Sequence, residues 1–341
     1  MIATNWGSAT DVGLVRRHNE DSLLAQFPVF LVADGMGGHA AGEVASALTS
    51  EQFRDLASVE ELTVERVAAA IEDANRSVLD AARDADRLHG MGTTLVGLIR
   101  VDDRSQELWL VFNIGDSRLY RWFEGAMTQI TTDHSEVQEL VEQGAVSGEA
   151  ARVHPLRNVI TRAVGTERTV EPDFWLLPPA PGERFLLCSD GLTSELPDTA
   201  IAQTLARERD PSVAATRLVE EAVAAGGHDN VTVVVVDVLT GDEDDEDVGD
   251  TARGIEQPES EASLGLGHPP EPIGKPRGRA ARRSRRSPKA KPELIVEVPG
   301  SASAPQGSAG GGDQESNALI AEVPTRNGDE GEPETGGMHD G

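Results

Sequence analysis

Four aspartates stand at the ends of apolar, strand-like runs, and each offers a carboxylate that could bind a metal ion. They are Asp34, Asp116, Asp190 and Asp229. Asp34 is followed by Gly35, whose backbone carbonyl is another hard oxygen ligand suited to Mg²⁺ or Mn²⁺, and glycine lets the backbone approach an ion closely. If a sheet gathers these ends at one rim, two divalent cations would remove the repulsion between the carboxylates. Each Asp could instead start an ordinary turn, but four such cases favour a two-metal centre.

A second group of charged residues lies near the N-terminus, at Arg16, Glu20 and Asp21. The planar donors of an arginine match phosphate oxygens in pairs, so Arg16 is a candidate phosphate ligand. Glu20 and Asp21 could orient water molecules around a metal ion without binding the ion directly. On these residues alone, a charged loop in solvent is an equally good interpretation.

Strands and helices must hold these side chains, and the hydrophobic pattern predicts both. Short apolar runs predict strands at 30–33, 94–101, 108–113, 118–122, 185–189 and 231–238. Helices are predicted at 40–57, 63–85, 135–143, 198–208 and 211–225. The runs 94–101 and 231–238 are almost continuously apolar, which is typical of strands covered on both faces. Because the elements are grouped rather than alternating, we expect an α+β fold with mostly antiparallel strands and helices packed outside.

The aromatic residues end before Leu239, which predicts a domain boundary. All four Trp, all seven Phe and the single Tyr lie in residues 1–239. The remainder, 240–341, opens with an acidic run at 242–247 and is rich in Pro, Gly and Ser, so it cannot bury enough apolar surface to fold. We therefore expect a folded domain at 1–239 and a disordered tail at 240–341.

The tail also carries a basic run at 275–291, with nine Lys or Arg and no acidic residue. Such a run could bind an anionic surface such as lipid or nucleic acid, or fold back on the acidic domain. A solvated charged linker is the simpler interpretation, and contact with an anionic surface stays open as an alternative.

Net charge, cysteine content and the lack of long apolar runs limit the class of protein. The formal net charge of −29 disfavours nonspecific binding to nucleic acid. The single cysteine, Cys188, lies in an apolar run, so we expect a buried residue, no intramolecular disulfide and no cysteine-based zinc site. The N-terminus does not resemble a signal peptide, and no apolar run approaches the ~18 residues of a membrane span. We expect a cytoplasmic protein.

Seven separated blocks together resemble the type 2C metal-dependent protein serine/threonine phosphatases, most closely the bacterial members that oppose serine/threonine kinases. The blocks follow the family's order within residues 4–239. They are Arg16-x-x-Asn19-Glu20-Asp21, Asp34-Gly35-Met36-Gly37-Gly38-His39, Gly92-Thr93-Thr94, Gly115-Asp116-Ser117-Arg118, Thr131-x-Asp133-His134-Ser135, Cys188-Ser189-Asp190-Gly191 and Asp229-Asn230-Val231-Thr232. Agreement at seven places makes the resemblance specific.

The resemblance implies the fold and the metal ligands. The fold would be a four-layer α-β-β-α sandwich, in which two mostly antiparallel sheets are flanked by helices and a two-metal centre lies at one end. In that arrangement Asp34 bridges two Mn²⁺ or Mg²⁺ ions and Gly35 binds one through its backbone carbonyl. Asp190 and Asp229 hold the other ion. Asp116, together with Asp190, would serve a third and weaker metal site.

The resemblance also implies the chemistry and the partners. Arg16 would clamp the substrate phosphate, and Asp21 would hold water molecules next to the metals. The metals would lower the pKa of a bridging water, which attacks phosphorus in line, so that phosphoserine or phosphothreonine on a protein is hydrolysed without a phosphoenzyme. The implied partners are phosphorylated proteins, including serine/threonine kinases, and we expect a monomer.

One position departs from the animal members of the family. Those proteins carry a histidine directly after the Asp-Gly pair, assigned as general acid for the leaving alkoxide, whereas this chain has Met36. The general acid is therefore unassigned, and His39 cannot be assumed to replace it. We expect structural roles for His134 and His154. Residues 135–170 should include the flap beside the active site.

Two other functions stay open. A catalytically silent phosphoprotein-binding module could use the same fold, although the presence of Asp34, Asp190 and Asp229 disfavours a loss of activity. A fold relative acting on anti-sigma antagonist proteins would usually carry a sensor or coiled-coil region, and the sequence does not reveal one. The expected function is therefore a metal-dependent protein phosphatase.

Overall fold

A computed structural model describes residues 2–37, 41–85, 88–103 and 106–239. The tail at 240–341, with its acidic run at 242–247 and its basic run at 275–291, lies outside the described residues, and so does His39. The domain boundary and the disordered tail therefore stay predictions.

Eleven strands and seven α-helices form in the described part of the chain. The strands are β1 (Ala3–Asp11), β2 (Asp21–Gln26), β3 (Val29–Met36), β4 (Gly92–Thr93), β5 (Leu95–Asp103), β6 (Gln106–Ile114), β7 (Arg118–Phe123), β8 (Ala126–Gln129), β9 (Asp173–Leu177), β10 (Arg184–Cys188) and β11 (Val231–Leu239). The helices are α1 (Ala41–Arg54), α2 (Val64–Asp84), α3 (Glu136–Glu142), α4 (Gly148–Ala151), α5 (Asp190–Glu195), α6 (Asp198–Arg207) and α7 (Pro211–Ala225). A short 3₁₀ helix, Asp55–Ser58, follows α1.

The strands form two sheets of antiparallel pairs. The first sheet has the order β1-β11-β10-β7-β8, and the second has the order β2-β3-β5-β6-β9, with β4 paired to β3. Strands β1 and β11 are neighbours over their whole length, with Ala3 opposite Leu239 and Asp11 opposite Val231. The beginning and the end of the described chain therefore lie side by side in one sheet.

Three apolar layers hold the domain together. Side chains from both sheets meet in the middle, where the rings of Trp109 and Phe185 pack edge to face with centroids 6.0 Å apart. A second layer, which includes Phe53, joins α1 and α2 to the second sheet. A third layer, which includes Leu218, joins α5, α6 and α7 to the first sheet. The expected α+β sandwich of two antiparallel sheets flanked by helices is confirmed.

The strongest periodic patterns correspond to the elements found. Helix α2 begins after Thr63, whose side chain accepts a hydrogen bond from the Arg66 N–H, and it buries one face that includes Val67 and Ile71. Strands β5 and β11 are buried along most of their length, as their continuous apolar runs predict. Within the ranges described above, none of the helices combines the length and the apolar character that crossing a bilayer requires.

The hydrophobic pattern does not predict strands β1, β2, β4, β8 and β9. In β1 only Gly7 is fully buried, because β1 is the edge strand of the first sheet and most of its residues reach solvent. An edge strand of this kind lacks the apolar run by which the inner strands are recognised.

Candidate metal centre

Strand pairing places Asp34 opposite Asp21, where β3 and β2 approach the edge of the second sheet. Two threonines hold the backbone of Asp34, Thr93 at the end of β4 and Thr94 directly after it. The Thr94 hydroxyl oxygen accepts a hydrogen bond from the Asp34 N–H at 2.9 Å, and the Thr93 hydroxyl donates one to the Asp34 carbonyl at 2.9 Å. The place of the Asp34 side chain is therefore set by its strand and not by a mobile loop.

The glycine after Asp34 is required by the protein around it. A Cβ atom on Gly35 would overlap the carbonyl oxygens of Glu20 and Gly42. The Gly35 N–H also donates a hydrogen bond to the Glu20 carbonyl at 3.1 Å. Close approach of protein backbone therefore explains this glycine, and its role as a metal ligand stays a prediction.

Ser189 connects the two sheets beneath the acidic cluster. It is fully buried between β10 and Asp190, the first residue of α5. Its hydroxyl donates to Asp21 Oδ2 at 2.9 Å, and its oxygen accepts from the Thr232 N–H at 3.0 Å. Because Asp21 belongs to the second sheet and Thr232 to the first, Ser189 holds Asp190 beside Asp21. Sequence reasoning gave Ser189 no role.

Arg16 and Asp229 form the more exposed side of the cluster. The Arg16 guanidinium donates to Asp229 Oδ2 at 2.7 Å, and the two side chains are 49% and 32% exposed. Arg16 lies in the loop between β1 and β2, whereas Asp229 comes directly before β11. An arginine that is half-exposed beside a carboxylate cluster fits the expected role in binding an incoming phosphate.

Asn230 anchors the loop that carries Arg16. Its side chain is almost fully buried, at 4% exposure. Its Oδ1 accepts from the Glu20 N–H at 2.8 Å, and its Nδ2 donates to the carbonyls of Val12 and His18 at 3.0 Å each. Because these partners lie on both sides of Arg16, Asn230 fixes that loop against the start of β11. The sequence contains Asn230 in a family block, but no signal in it revealed this role.

Asp116 lies in the turn after β6 and is 7% exposed. Burial, and then the charge of Asp190, raise the pKa of Asp116 well above its usual range. The turn is held by His134, whose Nδ1 accepts from the Gly115 N–H at 3.0 Å and whose Nε2 lies 3.2 Å from Asp173 Oδ2. These contacts fit the structural role expected for His134.

The clustered carboxyl groups are destabilised as anions. Burial, and then the neighbouring charges, raise the pKa of Asp34 well above its usual range. Burial raises the pKa of Asp21 to about 7. Burial and the charge of Asp229 raise the pKa of Asp190 to about 6. Bound cations would offset this repulsion between the carboxyl groups.

The donor set fits a divalent cation. The side chains of Asp34, Asp21 and Asp190 are largely enclosed by protein but keep some contact with solvent. Asp21 Oδ1 is buried without a hydrogen-bond partner in the described structure. Among the residues described, no three Asp, Glu, His or Cys side chains converge closely enough to hold an ion by themselves. Bound ions would therefore complete their coordination with water and backbone carbonyls, as Mg²⁺ often does.

We expect the metal-free protein to lose stability as the pH rises from about 4 to about 8. Unfolded aspartates titrate near pH ~3.9, whereas Asp190 and Asp21 titrate at about 6 and about 7 in the folded protein. The folded state therefore binds more protons in this window, and the free energy of unfolding falls as these groups ionise. Thermal melts in EDTA across this range measure the effect, and the control is the same series with Mn²⁺. A melting temperature in EDTA that rises throughout the window would contradict this description of the cluster.

A wide cleft of about 1070 Å³ opens over the cluster. Asp116, Asp190 and Asp229 lie on its floor, and residues 137–158, which include α4 and part of α3, line the opposite wall. Arg152 ties that wall to the domain through hydrogen bonds to two backbone carbonyls at the end of α5. This wall coincides with the segment expected to form the flap.

Cys188 takes no part in the cluster. It is fully buried in β10, and burial raises the pKa of its thiol to about 12. A thiol in that state is not a nucleophile near neutral pH. The expectation of a buried cysteine is confirmed.

Comparisons with known proteins agree with this geometry. A family profile described as protein phosphatase 2C matches residues 16–224. The serine/threonine protein phosphatase PstP of Mycobacterium tuberculosis is 42% identical over 242 residues, which cover 70% of this chain and 46% of that protein. The serine/threonine phosphatase stp of Listeria monocytogenes is 38% identical over 241 residues, which cover 67% of this chain and 93% of that protein.

Solved structures extend the similarity to three dimensions. The catalytic domain of PstP in complex with two manganese ions has a TM-score of 0.64 and 37% identity, and the match covers 70% of this chain and 100% of that one. The chain thus spans about half the length of the M. tuberculosis relative and nearly all of its catalytic domain. The profile match, the identities and the shared fold together establish that this chain belongs to the protein phosphatase 2C family.

Proposed function

We propose that this protein is a Mn²⁺- or Mg²⁺-dependent protein phosphatase that hydrolyses phosphoserine and phosphothreonine on proteins. The observation that carries the proposal is the cluster of buried, mutually repelling carboxyl groups beside Arg16, of which Asp116, Asp190 and Asp229 line a wide cleft. Such a cluster is costly to keep in a folded protein unless cations bind there. Names of the relatives, serine/threonine phosphatases of two bacteria, point to the same activity.

The residues that would hold the metals are those expected from the sequence. Asp34 would bridge two ions, Gly35 would bind one through its carbonyl, and Asp190 and Asp229 would hold the other. Asp116 would serve a third ion together with Asp190. When bound, the ions supply Lewis-acid chemistry, lowering the pKa of water and neutralising charge on the phosphoryl oxygens.

The remaining steps belong to the chain's own side chains. Arg16 would exchange its bond to Asp229 for the substrate phosphate, because its guanidinium is half-exposed beside Asp229, which lines the cleft, and matches phosphate oxygens. Asp21, whose Oδ1 lacks a partner in the described structure, would accept a hydrogen bond from water at the metal site. The thiol of Cys188 is too deeply buried to form a phosphoenzyme.

We extend the proposal to the substrates, the oligomeric state, the location and the domain bounds of the protein. The cleft volume of about 1070 Å³ leaves room for a segment of a folded protein. We infer phosphorylated proteins as substrates, among them serine/threonine kinases and the proteins that these kinases phosphorylate. We infer a monomer that acts in cytoplasmic signalling, with residues 1–239 as the catalytic domain and 240–341 as a tail.

Turnover of a phosphothreonine peptide by the full chain tests the proposal. We expect phosphate release with Mn²⁺ or Mg²⁺ and none in excess EDTA, because metal chemistry supplies several kcal/mol of the barrier reduction. Removing EDTA and adding Mn²⁺ back controls for irreversible damage. Phosphate release that persists in EDTA would contradict the metal-dependent mechanism. Peptide binding without turnover under any condition would favour a catalytically silent binding module.

A further inference from the structure

His228 and Glu195 form a hydrogen-bonded pair on the wall of the cleft, next to Asp229. The His228 Nδ1 lies 2.7 Å from Glu195 Oε1, and the backbone N–H of His228 donates to the same oxygen at 3.0 Å. The Glu195 side chain is 10% exposed, whereas that of His228 is 75% exposed. A nearly buried carboxylate therefore holds a ring that is largely open to the cleft.

The turn before Asp229 is built around this pair. A Cβ atom on Gly226 would overlap Glu195 Oε2 and press against the ring of His228. Gly227 follows with a φ of +54°, and its carbonyl accepts a hydrogen bond from the Leu14 N–H at 2.7 Å. The turn is thus tied to the loop after β1, and the ring has a fixed place at the metal site.

Glu195 decides which nitrogen of the ring carries a hydrogen. An ionised carboxylate can only accept hydrogen bonds, so Nδ1 must be the donor. In the neutral ring with that tautomer, Nε2 carries a lone pair, and it has no partner among the described residues. An exposed acceptor of this kind matches an N–H group. A peptide segment offers such groups along its backbone, whereas a phosphate dianion offers none.

We propose that His228 Nε2 accepts a hydrogen bond from a peptide N–H of the phosphorylated segment, and that this contact favours protein substrates over small phosphate esters. The inference rests on the proposed phosphatase function. His228 adjoins Asp229, one of the residues on the cleft floor, so the contact falls on residues that flank the phosphorylated side chain. Glu195 acts as a positioning residue, because it fixes the tautomer and the direction of the ring.

Two substitutions separate the hydrogen bond from the shape of the ring. His228→Phe keeps a flat ring without an acceptor, and His228→Gln keeps an amide oxygen that can accept. Each is compared with the wild-type chain on a phosphothreonine peptide and on p-nitrophenyl phosphate, both with Mn²⁺.

We expect His228→Phe to lose about tenfold more kcat/KM on the peptide than on the aryl ester, because one hydrogen bond contributes that order of affinity. His228→Gln should lose less, and Glu195→Ala should resemble His228→Phe. Glu220→Ala, an exposed glutamate on α7, is the matched control for Glu195→Ala.

The Mn²⁺-induced rise in melting temperature shows whether Asp229 keeps its place in each variant. Equal losses on both substrates, or no loss on either, would overturn the role of His228. So would the disappearance of the Mn²⁺ effect in His228→Phe, because the ring would then serve only to place Asp229. A wild-type chain that hydrolyses neither substrate would overturn the proposed function itself, and the inference with it.

Discussion

Asparagine in place of Asp34 will reduce Mn²⁺-dependent phosphatase activity by at least about 10³-fold, because several kcal/mol of metal chemistry is lost at ~1.4 kcal/mol per factor of ten. The substitution keeps the shape of the side chain and removes one anionic oxygen from the proposed bridging position. The measurement is kcat/KM on a phosphothreonine peptide over a range of Mn²⁺ concentrations. Asp73→Asn, which changes an exposed aspartate paired with Arg76 on α2, is the matched control.

The same substitution has an opposite effect on stability. Asp34 lies among other carboxyl groups whose charges raise its pKa. A neutral amide relieves that repulsion, so metal-free Asp34→Asn should melt at a higher temperature than the metal-free wild type near neutral pH. It should also gain much less from added Mn²⁺. Full activity in Asp34→Asn would exclude Asp34 as a bridging ligand, and an unchanged Mn²⁺ effect on melting would do the same independently of catalysis.

Asn230→Ala will destabilise the domain by about 3 kcal/mol, because it leaves three partly buried backbone groups without their partners. Those groups are the Glu20 N–H and the carbonyls of Val12 and His18. The melting temperature should fall by roughly 10 °C for a domain of this size. Activity should fall further than stability at a temperature where the variant is still folded, because the loop that carries Arg16 loses its anchor.

A second substitution at the same site tests the direction of these bonds. Asn230→Asp has the same shape, but it places an oxygen where Nδ2 donates to two carbonyls. We expect it to be at least as destabilising as Asn230→Ala. Asn5→Ala, at an exposed position of β1, should change the stability by much less. Wild-type stability in both Asn230 variants would show that the loop is held by other contacts.

The inner part of the fold was predictable because buried strands and helices have recognisable hydrophobic patterns in the sequence. Strand β11 is covered on both faces, so nearly every residue in it is apolar. Helix α2 was expected at 63–85 and runs from Val64 to Asp84, since one face packs on the second sheet and the other meets solvent. Strand β1 escaped prediction because its stability comes from pairing with β11, and pairing is a property of two distant segments.

At the candidate site, too, features with a local sequence pattern could be predicted, and contacts between distant segments could not. Asp34 and Asp190 were recognisable because each ends an apolar run, and the family resemblance supplied their roles. The parts that hold them were not recognisable. Ser189 acts through Asp21, 168 residues away, and Asn230 acts through Glu20, 210 residues away. A serine or an asparagine carries no local pattern that specifies so distant a partner. The Glu195–His228 pair was missed for the same reason.

Pairing of β1 with β11 has a consequence for how the protein is made. Strand β11 and Asp229 are the last parts of the described domain to leave the ribosome, whereas Arg16, Asp21 and Asp34 are among the first. The nascent chain therefore carries an incomplete carboxylate cluster during most of its synthesis, and β1 is made long before β11, its neighbour in the first sheet. The first sheet and the carboxylate cluster can therefore be completed only after β11 has been synthesised, when the two ends of the described domain join.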